Sequence, residues 1–472
     1  MNNMTRAMAL ALAVAGTAGV ASAAVIWSDD FSGSQAGNYT TYKVSYTTTP
    51  AVGPDAFVSA SYNFGGAWPY DGNTYTGTTA THRRGGAAIP SAPGSADTLA
   101  GMVYVNKNLA ETTSTEAAGL SPKVRFVGDV TITVDVWTEV TTSGTSTQLT
   151  FVGMDLQKGL GFHQNAAANP ILNLGHTFGV IGDGSSSRDY REYRAGVDHN
   201  PTGGTGNVVG GGFQATGTGI TNNTNAWYST YFTGGTPKYT GTTGMQWVTY
   251  KLERVGDLVT FSLRNNDATE NPTGAFKKIS EFTDTTTVRG GYVQLGHFDP
   301  AASPSPADQP LFALFDNFKI EGTKAPTVSG NLTINGRDAG FPANVTMRCL
   351  DAGGVLIESQ VVAIAANGDY SLDVLPNTAS LFIEPFGTFL SKKLSVDVSG
   401  GDLSGQNLVL GNGDSNDDNS CDLLDYFNLS DSYNLAVGDA GYNAECDFNG
   451  DDSVDLLDYF ILSDNYNVAG DE

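Results

Sequence analysis

Two runs of twelve residues, one starting at Asp414 and one at Asp447, carry the densest chemistry in this 472-residue chain. The first reads Asp-Ser-Asn-Asp-Asp-Asn-Ser-Cys-Asp-Leu-Leu-Asp and the second Asp-Phe-Asn-Gly-Asp-Asp-Ser-Val-Asp-Leu-Leu-Asp. Asp414, Asn416, Asp418, Asp422 and Asp425 place oxygen side chains at positions 1, 3, 5, 9 and 12 of the first run. Asp447, Asn449, Asp451, Asp455 and Asp458 do the same in the second. That spacing lets one loop wrap a hard cation, which takes about six to eight oxygens; the backbone carbonyls of Ser420 and Ser453 would add position 7. The chemistry predicts calcium, two ions per chain. Position 6 must turn sharply, usually with glycine. Asn419 and Asp452 stand there, and Asn and Asp tolerate left-handed backbone better than other non-glycine residues.

The repetition runs on past each loop. Leu423-Leu424-Asp425-Tyr426-Phe427-Asn428-Leu429-Ser430-Asp431 returns as Leu456-Leu457-Asp458-Tyr459-Phe460-Ile461-Leu462-Ser463-Asp464. Leu424 and Phe427, with Leu457 and Phe460, sit at helical spacing. This predicts a helix after each loop and a core where these four bury against one another across a pseudo-twofold axis. A disordered acidic tail would have no reason to keep Leu and Phe at that spacing. Two loops each followed by a helix, Asp at position 12 in place of Glu, and no helix expected before the first loop resemble a type I dockerin, the calcium-dependent plug of bacterial cellulosomes. The resemblance spans residues 414–472 and implies calcium as cofactor and a cohesin-like protein as partner. The chain departs from it at positions 10 and 11. Many dockerins present small hydroxyl residues to the cohesin there, and both copies here have Leu-Leu.

Charge argues for cations independently. Residues 414–472 hold 14 Asp, 2 Glu and no Lys or Arg, in a chain of formal net charge −25. Such a segment repels itself unless cations neutralise it, and it argues against nucleic acid as a partner. Met1 to Ala23 reads as a secretory signal: Arg6 near the start, an apolar stretch from Ala7 to Val20 too short to anchor in a bilayer, and Ala21-Ser22-Ala23 as a cleavage site. No later stretch is apolar and long enough to span a membrane, so the expectation is a secreted protein, extracellular or associated with the cell surface. Three cysteines are too few for a disulfide scaffold. Export would let Cys421, at loop position 8, pair with Cys446, which immediately precedes the second loop, leaving Cys349 as a buried thiol.

Before the tail, 58 glycines across the chain and recurrent Thr, Val and Tyr favour strands and turns. The expected fold class is mainly β, in four segments: the signal at 1–23, a large sandwich at 24–323, a small sandwich at 324–411 and an α-helical calcium module at 412–472. Val124 to Val140 alternates most clearly, with Val130, Ile132, Val134 and Val136 on one face and Thr131, Thr133, Asp135, Trp137 and Glu139 on the other. Trp247 to Arg264 reads as a hairpin turning at Val255-Gly256-Asp257. Trp27-Ser28-Asp29-Asp30-Phe31 and Leu314-Phe315-Asp316-Asn317-Phe318-Lys319-Ile320 bracket the segment. They resemble the end strands of a concanavalin-like or laminin-G-like jelly roll, which lie side by side; another β-sandwich or a β-helix is the alternative. Lys324-Ala325-Pro326-Thr327 predicts a linker. Beyond it, Val328-Ser329-Gly330, the turn at Asn367-Gly368-Asp369-Tyr370-Ser371 and strand residues up to Leu410 resemble the carboxypeptidase-regulatory-like, transthyretin-type sandwich, which implies a spacer over residues 326–411.

A retaining glycosidase needs two carboxylates about 5 to 5.5 Å apart. The nearest approach is Asp135-Val136-Trp137-Thr138-Glu139, but a family-16-like glucanase strand has Glu, Asp and Glu, and here the middle acid is Trp. Three readings stand: a catalytic strand, a saccharide-binding face on which Trp137 stacks between Asp135 and Glu139, and an ordinary strand whose acids pair with Arg. The histidines at 82, 163, 176, 199 and 297 show no zinc spacing. Ser185 lacks a nucleophile elbow. The cluster from Arg188 to Arg194 reads as a charge-paired strand or a ligand-contacting loop. The function expected is that of a secreted modular protein, carbohydrate- or surface-recognising and attached through a calcium-dependent dockerin-like tail. The alternative is a polysaccharide-degrading glycoside hydrolase carried by a dockerin.

Overall fold

The computed structural model describes residues 23–33, 36–45, 56–64, 68–70, 73–75, 89–105, 116–140, 148–156, 164–165, 169–170, 175–182, 190–194, 197–198, 226–235, 238–285, 289–299, 311–337 and 342–472. The signal reading up to Ser22, the positions His82, His163, His199 and Ser185, and the start of the basic cluster at Arg188 lie outside the described residues.

The first segment is a two-sheet antiparallel sandwich. One sheet runs Phe57–Asn63, Leu99–Tyr104, Phe312–Lys324, Phe126–Glu139, Trp247–Val255, Leu258–Asn265 and Lys277–Thr283. Val25–Asp29 joins Phe312–Lys324 as well, so the first and last strands lie side by side as expected. The other sheet runs Tyr39–Ser45, Glu116–Pro122, Gly290–Asp299, Leu149–Leu156, His176–Ile181, Tyr190–Arg194 and Val197–Asp198. Val130, Ile132, Val134 and Val136 point into the core between the sheets, against Val152, Phe178 and Leu295. The hairpin closes at the pair Val255 and Leu258, and Gly256 takes φ +58 at the first turn position, where glycine is wanted.

A second apolar cluster covers the outer face of the first sheet. Phe64, Ile89, Ala92 and Met245 lie there over Met102, Trp137, Trp247 and Leu314. The long strand therefore alternates only in its first half, and every residue from Val134 to Val140 is buried.

The expected linker is a packed joint. Only Ala325 and Pro326 separate strand Phe312–Lys324 from Thr327–Ile334. Ala325 is buried against Val127 and Leu375, and the Arg125 guanidinium makes two hydrogen bonds, of 2.8 and 2.9 Å, to Glu358 of the next segment. That segment is the small sandwich: Asp369–Asp373, Thr327–Ile334 and Leu408–Leu410 face a sheet of Leu356–Ala363, Asn344–Leu350, Ser380–Ile383 and Lys392–Ser395. Its core includes Val328, Met347, Cys349, Tyr370, Leu381 and Leu410.

The tail folds back on this small sandwich. Asn419 accepts a hydrogen bond from the Ser391 amide at 2.8 Å and donates one to its hydroxyl at 2.9 Å. The Asp471 carboxylate accepts the Lys393 amide at 2.8 Å and pairs with Lys392 at 3.1 Å. Asn412 donates to the Asn335 carbonyl at 3.2 Å. No helix among the described residues is long and apolar enough to cross a membrane.

Candidate functional site

The two loops are built alike down to single torsions. Helices Leu423–Ser432 and Leu456–Asn465 follow them, and their N-caps, Asp422 and Asp455, both sit at φ −141, ψ −157. Each cap accepts the amide two residues on, and position 12 closes a capping box by accepting the cap's own amide: Asp425 from Asp422 at 2.7 Å, Asp458 from Asp455 at 2.8 Å. Position 6 is left-handed as its residues allow, with Asn419 at φ +62 and Asp452 at φ +69. Position 1 gathers the turn: Asp414 accepts the amides of Asn416, Asp418 and Asn419, and Asp447 those of Gly450, Asp451 and Asp452. Ser420–Cys421 pairs with Val468–Ala469, and Ser453–Val454 with Leu435–Ala436, so each loop is tied to the segment leaving the other loop's helix.

This donor set suits a hard cation, since every side chain at positions 1, 3, 5, 9 and 12 offers oxygen. Asp425 and Asp458 are fully buried and take hydrogen bonds from the amides of Ser415, Asp422, Phe448 and Asp455, and burial holds the Asp414 and Asp458 carboxyls above the usual range. Among the described residues no three His, Cys, Asp or Glu side chains converge closely enough to hold a metal by themselves; the loop acids are spent on backbone amides instead. The loops differ in surroundings. The first is clasped to Ser391, whereas the second borders a cavity of about 410 Å³ lined by Arg337, Phe389, Tyr442, Asp447 and Asp452.

Two expectations for the tail are corrected. Leu424, Phe427, Leu457 and Phe460 do not form its core: they are 55, 52, 54 and 51% exposed. The core is built one helical face away, by Leu429, Ile461 and Leu462 with Cys421, Cys446, Phe448 and Val454. The buried face is the one turned towards the loops, and spacing alone does not say which apolar face of a short helix that will be. Cys421 and Cys446 are not bonded; all three cysteines are free and buried. Cys421 contacts the Leu462 carbonyl and Cys446 the Asn443 amide, each sulfur packed into the core on its own.

Asp135, Trp137 and Glu139 share a face as the alternation requires, but the reading of that face as exposed is corrected. They are 3, 4 and 3% exposed. Trp137 packs on its cross-strand partner Trp247 with ring centroids 5.9 Å apart, and its indole N–H donates to Glu139 at 2.9 Å. The Trp247 indole reaches the Pro90 carbonyl at 2.7 Å, which fixes the covering segment over both rings. Asp135 accepts from Thr249 and, at 2.9 Å, from Asn317, and burial holds its carboxyl above the usual range.

The residue that sequence reasoning passed over is Asp316. It lies opposite Asp135 in register, fully buried, on a strand broken there by a bulge at left-handed Asn317, φ +48. Burial first, then the nearby Asp135, Asp97 and Asp30, push its carboxyl up to about 7. A lone Asp-Asn inside Leu-Phe-Asp-Asn-Phe was the available signal. His176 meets Asp284 at 2.8 Å and His297 meets Gln148 at 2.9 Å, in separate places. In the basic cluster, Tyr190 and Tyr193 are buried and Arg194 pairs with Glu192 over the Phe282 ring, as a charge-paired strand would.

No protein-family model and no curated protein matches the chain. Among solved structures it is similar to a type II cohesin–X-dockerin complex from Acetivibrio cellulolyticus, an N-terminal interface mutant, at 20% identity over 31% of this chain and 97% of that one, TM-score 0.26. It is also similar to a protein of unknown function with a galectin-like fold from Bacillus subtilis, at 8% identity over 64% of this chain and 97% of that one, TM-score 0.31. A third is the exoplasmic/lumenal domain of VIP36 in its Ca2+/Man2-bound form, at 8% identity over 44% and 72%, TM-score 0.27. At such scores function has to be argued from the site itself.

Proposed function

We propose that the chain is a secreted modular protein whose tail is a calcium-dependent docking plug. Two calcium ions would be held by Asp414, Asn416, Asp418, Ser420, Asp422 and Asp425 and by Asp447, Asn449, Asp451, Ser453, Asp455 and Asp458. The observation that carries this reading is the duplication itself. Two loops with matching caps and matching left-handed turns each end in a helix that shows Leu, Leu and Phe to solvent. Exposed apolar patches of that kind mark interaction surfaces. A cohesin-like protein is the partner the dockerin resemblance implies. The large sandwich would be the cargo, with a polysaccharide or a cell surface as the recognised body; Trp137, being buried, is not its stacking platform. The calcium chemistry is simple: the ions would neutralise the loop carboxylates, with Asn416 and Asn449 at position 3 and the aspartates at positions 5 and 9 supplying side-chain oxygens. Calorimetric titration of the full chain with calcium tests this, followed by binding to a panel of purified cohesin modules. Two ions lost in an Asp425→Asn, Asp458→Asn double variant, and cohesin binding abolished by EDTA, are expected. Unchanged calcium binding by the double variant would overturn the reading.

A further inference from the structure

The large sandwich holds an anionic site unrelated to the tail. Cross-strand pairing sets Asp316 directly opposite Asp135 on one face of the sheet, where like charges ordinarily destabilise. Both side chains are buried. The oxygens of Asp135 are accounted for: Thr249 and Asn266 donate to Oδ1, Asn317 to Oδ2. Asp316 is different. Its Oδ1 accepts the Asn317 amide at 2.7 Å, and its Oδ2 is buried without a hydrogen-bond partner among the described residues. Asp97 and Asp30 add negative potential at this group, and Arg264 acts on Asp135 while its own nitrogens bond Asn266 and Thr249.

A buried carboxylate oxygen with no donor costs several kcal/mol unless a proton or a cation reaches it. The neighbourhood is carboxylate, amide, hydroxyl and carbonyl oxygen, with neither imidazole nor thiolate among these contacts. That set selects hard oxygen-seeking ions over zinc-like ones. We propose that Asp316, with Asp135 opposite it, anchors a third cation site, for a divalent ion of the calcium class, that ties strand Phe312–Lys324 to strand Phe126–Glu139 beside the covering segment at Pro93. Asp316 Oδ2 would be the protein ligand, and Asp135, held in place by its own donors, would supply the second negative charge.

The site is tested on the full chain by counting bound calcium in equilibrium dialysis, with and without the tail changes Asp414→Asn and Asp447→Asn. Asp316→Asn should remove one ion in either background. It should also lower the melting temperature of the sandwich in calcium but not in EDTA. Since the count changes with Asp316 whatever the tail binds, failure here is distinct from failure of the docking proposal. An unchanged ion count overturns the site. So does an Asp316→Asn chain more stable by the same margin in calcium and EDTA, because the carboxyl then held a proton. If that variant does not fold, Asp135→Asn and the unmutated sandwich carry the test: a chain with both tail loops disabled must still be stabilised by calcium, and one that is not refutes the site.

Discussion

Cys421 and Val454 hold the same place, position 8, in the two loops, and both are completely buried. The sulfur there acts as a small apolar core group, a common fate for a free cysteine. Burial pushes the Cys421, Cys446 and Cys349 thiols up to about 12, so none is a thiolate near neutral pH. A thiol reagent at pH 8 should therefore find no reactive cysteine in the native chain and three after denaturation without reductant. Recovery of a single thiol would restore the Cys421 to Cys446 bond. Trp137 is a second residue whose role its surroundings decide. With Trp247 and the segment around Pro90 over it, Trp137→Ala should destabilise the sandwich by roughly 3 to 5 kcal/mol, the usual cost of a buried Trp. Chemical denaturation reads this directly, and retention on insoluble polysaccharide should stay as it was. Reduced retention at unchanged stability would mean that the indole meets a ligand after all.

Each helix of the tail has two apolar faces and buries one of them. Leu429→Ala or Leu462→Ala opens the core and should cost about 2 to 5 kcal/mol, whereas Leu424→Ser with Leu457→Ser removes only exposed groups and should leave calcium-loaded stability within about 0.5 kcal/mol. Thermal melts followed by circular dichroism separate the two sets; equal losses would show that the exposed face is packed. The contrast also shows what the residue pattern could carry. Loop positions and left-handed turns are legible because each depends on residues within twelve of one another, and the hairpin at Gly256 is legible for the same reason. The buried side of a helix, the cover over Trp137 and the opposition of Asp135 to Asp316 depend on contacts between residues far apart in sequence. A two-residue period divides a strand into faces but does not say whether a loop or solvent meets the second. The Asp316 site needed a register between strands some 180 residues apart, as the hydrogen bond from Asn317 to Asp135 shows with its separation of 182.

At the scale of the whole molecule the joints differ in kind. Between the sandwiches, Ala325 and Pro326 leave no slack, and the joint is held by apolar burial and the Arg125 to Glu358 pair, neither of which needs an ion. Between the small sandwich and the tail, the clasp passes through Asn419 at position 6 of the first loop and through Asp471, whose segment is fixed by the Gly470 amide on the Asn419 carbonyl at 2.9 Å. That joint lasts only as long as the loop keeps its turn. If the tail is the calcium module proposed above, removing calcium would leave the acids of residues 414–472 unneutralised, so the loops should open, the two helices melt and the clasp on Ser391 release together. Limited proteolysis of the full chain makes this visible. In EDTA, cleavage should fall within residues 412–472 and leave a resistant core ending near Leu410; in calcium the tail should be protected, and the joint at 324–327 should resist in both. Cleavage at 324–327 under chelation would mean that the ion-free joint is the weaker one. Equal protection of the tail with and without calcium would mean that its fold stands without the ions.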